Sequence, residues 1–218
     1  MNNRWLAFLT IGFFTLVTFL FFWIRTNPID LTPSESHTNS ASLSEPTVTF
    51  INPQKGAEKP RLTIVEFADF ECTHCRTLQI PLEAALQAFP NDVRIVWKNL
   101  PNSSAHPESI PAAIAAHCAD RQKKFWPYHD VLFARQDFLS RETYIQIASE
   151  LNLDKNRFES CLETQDTMAI VQKDTDEGLA LGIVATPTLF VGSQKVVGSI
   201  TSEELISLIQ TELQKIDL

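Results

Sequence analysis

The chain of 218 residues has no run rich in lysine or arginine, and its 18 basic residues are outnumbered by 26 acidic ones, for a formal net charge of -8. Proteins that track a phosphate backbone cluster their cations, so nucleic acid is not an expected partner. Cysteine is absent before position 72, which leaves a lipid-modified N-terminus without a thiol acceptor there. Internal repeats are absent, and so is any low-complexity tract outside residues 26–47. Between Pro101 and Gly182 no strand pattern stands out. What is present is 44% hydrophobic residues, enough for one or two globular domains with a real core and too much for a chain disordered throughout.

Part of that hydrophobicity is one block, WLAFLTIGFFTLVTFLFFWI, Trp5 to Ile24, without a charged residue. As a helix it would span roughly 30 Å, the thickness of a bilayer core. Arg4 and Arg25 bracket it, and Trp5 and Trp23 stand where interfacial aromatics belong. A cleaved signal peptide would have an apolar core of about 7–15 residues and a small-x-small site close behind, and neither fits. Residues 1–25 are therefore expected to be an N-terminal transmembrane helix, an uncleaved signal-anchor. With one arginine on each side the charge rule is nearly a tie, tipped by the terminal amine. The four cysteines favour an oxidising compartment, so the body is expected in the periplasm or an equivalent extracytoplasmic space. Residues 26–47, more than half of them Ser, Thr or Pro, read as a solvated tether reaching roughly 25 Å.

Beyond the tether, LTIVEF (Leu62–Phe67) is an apolar, β-rich run suited to a strand buried on both faces. A helix is predicted from about Thr73 to Phe89, interrupted at Pro81, and VRIVWK (Val93–Lys98) supplies a second, parallel strand. Helices follow at about Glu108–Gln122, Phe125–Arg135, Arg141–Leu151, Lys155–Glu163 and Asp166–Leu181, with Ser140 and Asp154 as N-caps and Gly182 as a stop. A hairpin turns at Gly192 and Ser193, and Thr201 with Glu204 opens a last helix as a capping box. The predicted order is β-α-β, a helical block, then β-β-α.

The chemistry concentrates at FECTHC, where strand passes to helix. A thiol is a nucleophile only as thiolate, and Cys72 at a helix N-terminus would meet the positive end of the macrodipole and free N–H groups. His74 can add a donor or a charge within the same turn. Cys75, one turn further in, is the resolving thiol of such a pair. Glu66, on the preceding strand, is either a solvated edge carboxylate or a buried proton acceptor for Cys75. The other histidines, His37, His106, His117 and His129, read as ordinary surface or core residues, and Trp97, Phe125, Trp126 and Phe133 as core. A metal site remains an alternative, but Cys72, Cys75 and His74 supply three ligands where structural zinc wants four, and no cofactor is expected. Cys118 and Cys161 suit a structural disulfide closing the helical block, the alternative being two buried free thiols.

FECTHC after a strand, then HPESIPAAIAAHCADRQKKFWPYHDVLFARQ, LNLDKNRFESCLETQ and GIVATPTLFVGSQKVVG, together resemble the DsbA-like family of thiol:disulfide oxidoreductases over roughly Thr47 to Leu218. The resemblance implies an α/β thioredoxin fold over 48–218 with a helical insertion at about 101–165. It implies Cys72 as nucleophile, Cys75 as resolving thiol, His74 as thiolate stabiliser and Glu66 as the buried acid. It also implies that Thr186 and a cis Pro187 bind the substrate backbone. Thr73 stands where the family's namesake carries proline, and the potential depends on that pair of residues. The implied function is disulfide transfer to cysteine-containing exported proteins by a monomer, with reoxidation by a quinone-linked thiol oxidase of the membrane. A reductase or isomerase on the same scaffold is the alternative; the resemblance supplies no dimerisation domain before the thioredoxin fold, which weakens the isomerase reading. A metal-binding or carrier protein is the alternative of a different class.

Overall fold

The computed structural model describes residues 3–26 and 43–217, in two units, 1–41 and 42–218. In the first unit Asn3–Thr26 forms helix α1. Its described side chains, residues 13–23 and Arg25, are exposed. Among the described residues no helix is long and apolar enough to cross a membrane. Most of the expected tether, and His37 within it, lies outside the described residues.

In the second unit the strands are β1 (Gln54–Gly56), β2 (Leu62–Ala68), β3 (Val93–Asn99), β4 (Thr188–Val191) and β5 (Gln194–Val197). They form one sheet in the order β1-β3-β2-β4-β5, with only β2 and β3 parallel. Helix α2 (Thr73–Ala88) crosses between β2 and β3 and packs beside α8 (Ser202–Ile216). Because side chains alternate along a strand, Leu62 and Ile64 meet Leu78, Leu82, Leu205 and Ile209 from these two helices, while Val65 and Phe67 join a separate cluster with Leu100, Leu181 and Phe190. Helix α7 (Met168–Ala180) packs against β3. It comes close: a Cβ on Gly178 would stand 2.9 Å from Leu100 Cδ1 and 3.3 Å from Phe67 Cδ1.

Between β3 and α7 lie α3 (Ser109–Asp120), α4 (Phe125–Ala134), a short 3₁₀ turn (Gln136–Phe138), α5 (Arg141–Glu150) and α6 (Lys155–Thr164). Their core joins Ile114, Phe125, Tyr128, Leu132, Ile147 and Phe158 with Phe70 and Trp97 from the sheet side, so the insertion and the start of α2 share one apolar cluster. Ser140 and Asp154 cap α5 and α6 as expected, Gly182 follows the end of α7 at φ 63°, and Thr201 and Glu204 form the capping box.

Two expectations need correction. The strand β1 was not legible: Gln-Lys-Gly has no apolar alternation, and this edge strand exists because β3 offers it a free edge and because Trp126 Nε1 donates to Gln54 O (2.7 Å) and Arg94 to Gln54 Oε1 (2.9 Å). Helix α2 is also not interrupted at Pro81. It runs through, with the proline buried.

One buried polar cluster ties the first described residues of this unit to α7. Lys98, fully buried, pairs with Glu177 (2.6 Å) and Asp174 (3.4 Å). Glu177 also accepts from Thr47 N and from Thr47 Oγ1 (2.8 Å), and Asp174 from Asn52 (3.2 Å) and Asn99 (2.8 Å). Buried charges are tolerated here because each carboxylate oxygen has a partner.

Candidate active site

Strand β2 ends at Ala68, and the loop Asp69–Glu71 delivers Cys72 as the N-cap of α2 with an extended backbone, φ -79° and ψ 119°. The turn is held from within: Cys72 N donates to Asp69 O (3.1 Å) and Glu71 N to Asp69 Oδ1 (2.8 Å). It is also held from the insertion, where buried Gln136 donates to Phe70 O (2.7 Å) and Cys72 O (3.0 Å). Opposite, Cys72 Sγ lies 3.5 Å from Thr186 O, next to the cis Thr186–Pro187 bond. The structure thus brings Cys72, Cys75, Thr186 and Pro187 together.

The two thiols are free and have opposite electrostatics. Cys72 is held at about 5 by the hydrogen bond that Cys75 donates to it, against its own partial desolvation, with help from Thr186 and the backbone N–H groups of Cys75 and His74. Cys75 is pushed far up by burial and by its role as donor to Cys72, and the nearby Asp69 N–H (3.5 Å) only partly offsets this. A thiolate facing the cis-proline loop and a protonated thiol behind it is the resting arrangement of a dithiol that exchanges disulfides.

Glu66 falls on the same strand face as Leu62 and Ile64, which turns it toward α2 and buries it completely. Burial pushes its carboxyl up to about 8, while Gln79 Nε2 on Oε1 (3.1 Å) pulls the other way. Among the described residues its Oε2 has no partner. The edge-carboxylate alternative is thereby set aside. The ring of His74 is exposed and shares a hydrogen bond with Ser199 Oγ (3.2 Å), so His74 reaches Cys72 through its backbone N–H. Cys118 on α3 and Cys161 on α6 are joined, with Cα atoms 5.8 Å apart, inside the insertion.

Sequence reasoning missed Asp69, Gln79, His106 and Gln136. Gln79 had a signal, since it stands four residues after Cys75 on one helix face. Asp69 had a weaker one, as an acid at a strand end three residues before Cys72. His106 and Gln136 had none, because loops distant in sequence bring them in. Among the described residues no three His, Cys, Asp or Glu side chains are grouped to hold a metal ion.

Residues 52–211 match the family described as Thioredoxin. This chain belongs to the thioredoxin family. The chain also superposes on solved structures that share its fold. A thioredoxin-like oxidoreductase from Silicibacter pomeroyi DSS-3 aligns with TM-score 0.67 and 25% identity over 76% of this chain and 94% of that one. The thiol-disulfide exchange protein α-DsbA2 from Wolbachia pipientis aligns with TM-score 0.66 over 77% and 88%, and at 18% identity this shows the shared fold. A curated relative, the Na(+)/H(+) antiporter NhaA of Herminiimonas arsenicoxydans, is 35% identical over 156 residues, 72% of this chain and 25% of that protein. This thioredoxin-family chain spans about a quarter of the length of the curated relatives it matches.

Proposed function

We propose that the chain is a membrane-tethered, extracytoplasmic thiol:disulfide oxidoreductase of the DsbA type that donates the Cys72–Cys75 disulfide to exported proteins. The observation that carries this reading is the opposite polarisation of the two thiols, one held at about 5 and the other pushed up. A low nucleophile pKa stabilises the reduced enzyme and so makes its disulfide a stronger oxidant.

In transfer, a substrate thiolate attacks Cys72 Sγ in line with the disulfide, the S–S bond breaks, and the sulfur of Cys75 leaves and takes a proton. Glu66, a carboxyl that burial holds protonated near neutrality, stands behind Cys75 to deliver it. A second substrate thiolate then attacks the substrate sulfur of the mixed disulfide. Oxidised substrate departs, and Cys72 remains as thiolate. Thr186 and Pro187 form the wall against which the substrate backbone would lie. Cys118–Cys161 is the structural bridge of the insertion. Reoxidation falls to a quinone-linked thiol oxidase of the same membrane, and the protein works as a monomer.

The anchor rests on the uncharged Trp5–Ile24 run and its flanking arginines, and the oxidising compartment on four cysteines placed as one buried bridge and one exchangeable pair. The test is the reduction potential of the soluble body against glutathione buffers. A donor should sit near the oxidising end of the family range, about -120 mV, and a value near about -270 mV would make it a reductase instead.

A further inference from the structure

His106 precedes α3 in a loop of the insertion, and its Nδ1 lies 2.7 Å from Oδ2 of Asp69. The Asp69 side chain is fully buried, whereas that of His106 is 27% exposed. Asp69 is the centre of the redox turn. Its carbonyl holds Cys72 N–H, its own N–H reaches Cys75 Sγ, Oδ1 takes Glu71 N–H, and Oδ2 takes Asn102 N–H (3.0 Å) beside the imidazole. A bare buried carboxylate here would repel a thiolate on Cys72.

The other groups around His106 are few. Glu71 lies in the same turn and accepts from Glu108 N (2.7 Å), and the Glu108 carboxylate is occupied by Tyr144 Oη (2.7 Å). Cys72 caps α2. The His106 backbone is held by Asn102 O (2.8 Å) and by Ser109 Oγ (2.7 Å).

We propose that His106 is a positioning residue of the dithiol: its imidazolium balances the Asp69 carboxylate, so that formation of the Cys72 thiolate and protonation of His106 are coupled. Partial burial disfavours the imidazolium, but the bond to Asp69 and the charges of Asp69, Cys72 and Glu71 outweigh it and raise His106 above its ordinary value. Coupling is reciprocal, so whatever the thiolate does for His106, the imidazolium does for the thiolate.

The proton count follows. A substrate dithiol brings two protons and two electrons. Its oxidation leaves one proton on Cys75, while Cys72 stays ionised. The second proton goes to solvent where His106 is already charged, and is captured in part by His106 where reduction raises its affinity. The midpoint of His106 therefore differs between oxidised and reduced protein, and the pH dependence of the potential bends between the two values.

This inference rests on the reading of Cys72 as the nucleophile, and the tests separate the two. The His106 ring signal is titrated by NMR in oxidised protein, in reduced protein and in reduced Cys72→Ser. The expected result is a midpoint higher in reduced wild type than in either of the others. Thiolate absorbance then follows Cys72 in His106→Gln, which keeps a donor for Asp69 and removes the charge. The Cys72 midpoint should rise by about half a unit or more, a threefold or larger loss of ionisation, and the effect should vanish in an Asp69→Asn background. Identical His106 titration in oxidised and reduced protein overturns the coupling even if the variants fail to fold. A Cys72 midpoint unchanged in His106→Gln overturns it as well. Failure of Cys72 to ionise below about 8 in wild type overturns the nucleophile itself.

Discussion

Replacing Glu66 by glutamine should stabilise the protein while slowing it, and the stabilisation should depend on pH in a set direction. The folded carboxyl titrates at about 8 because it is wholly buried, against an ordinary 4.5. Below about 4.5 both folded and unfolded forms are protonated and the residue costs nothing. As pH rises the unfolded chain ionises first, the folded one resists, and stability is lost until the folded group also ionises near 8. At pH 7 the accumulated loss is on the order of 3 kcal/mol. Glutamine keeps the shape and can still accept from Gln79, so Glu66→Gln should recover that amount at pH 7 and almost none at pH 4. For a body of this size this raises Tm by roughly 6–12 °C. Melting of the oxidised proteins at a series of pH values measures it without contribution from thiol ionisation. An equal pH slope in wild type and variant would refute the argument, whatever the offset between them. Exchange should slow in the same variant, since the proton for Cys75 is gone.

Alkylation of the reduced protein should reach half its maximal rate near pH 5 at Cys72 and leave Cys75 unmodified, and equal rates at both thiols would contradict the polarisation of the pair. Replacing Cys118 and Cys161 by alanine should lower stability by up to about 4 kcal/mol and leave exchange on a small disulfide close to wild type, read by urea unfolding and by turnover. Peptide mapping after mild reduction should find Cys72 and Cys75 free and Cys118–Cys161 intact. Lys98→Met strands two buried carboxylates and should cost about 3–5 kcal/mol, with a neutral melt as the disproof.

The strands Leu62–Ala68 and Val93–Asn99, the helices after them and their caps were legible because their signals are local: apolar alternation, a Ser, Thr or Asp before a helix, a glycine after one. So was the redox pair, since two cysteines two residues apart at a strand–helix junction need no distant partner to be recognised. Strand β1 was not legible, because its three residues carry no pattern and it forms only when the edge of β3 is there to pair with. The direction of Glu66 was open in the sequence, and the sheet decided it: packing of α2 and α8 on one face fixed which side of β2 is buried against the cysteines, and desolvation then set the acidity. His106 was a plain loop residue until the insertion folded back and placed its ring on Asp69. Local sequence determined which groups are reactive, and tertiary structure, by bringing together charges far apart in the chain and removing water from them, decided how reactive they are.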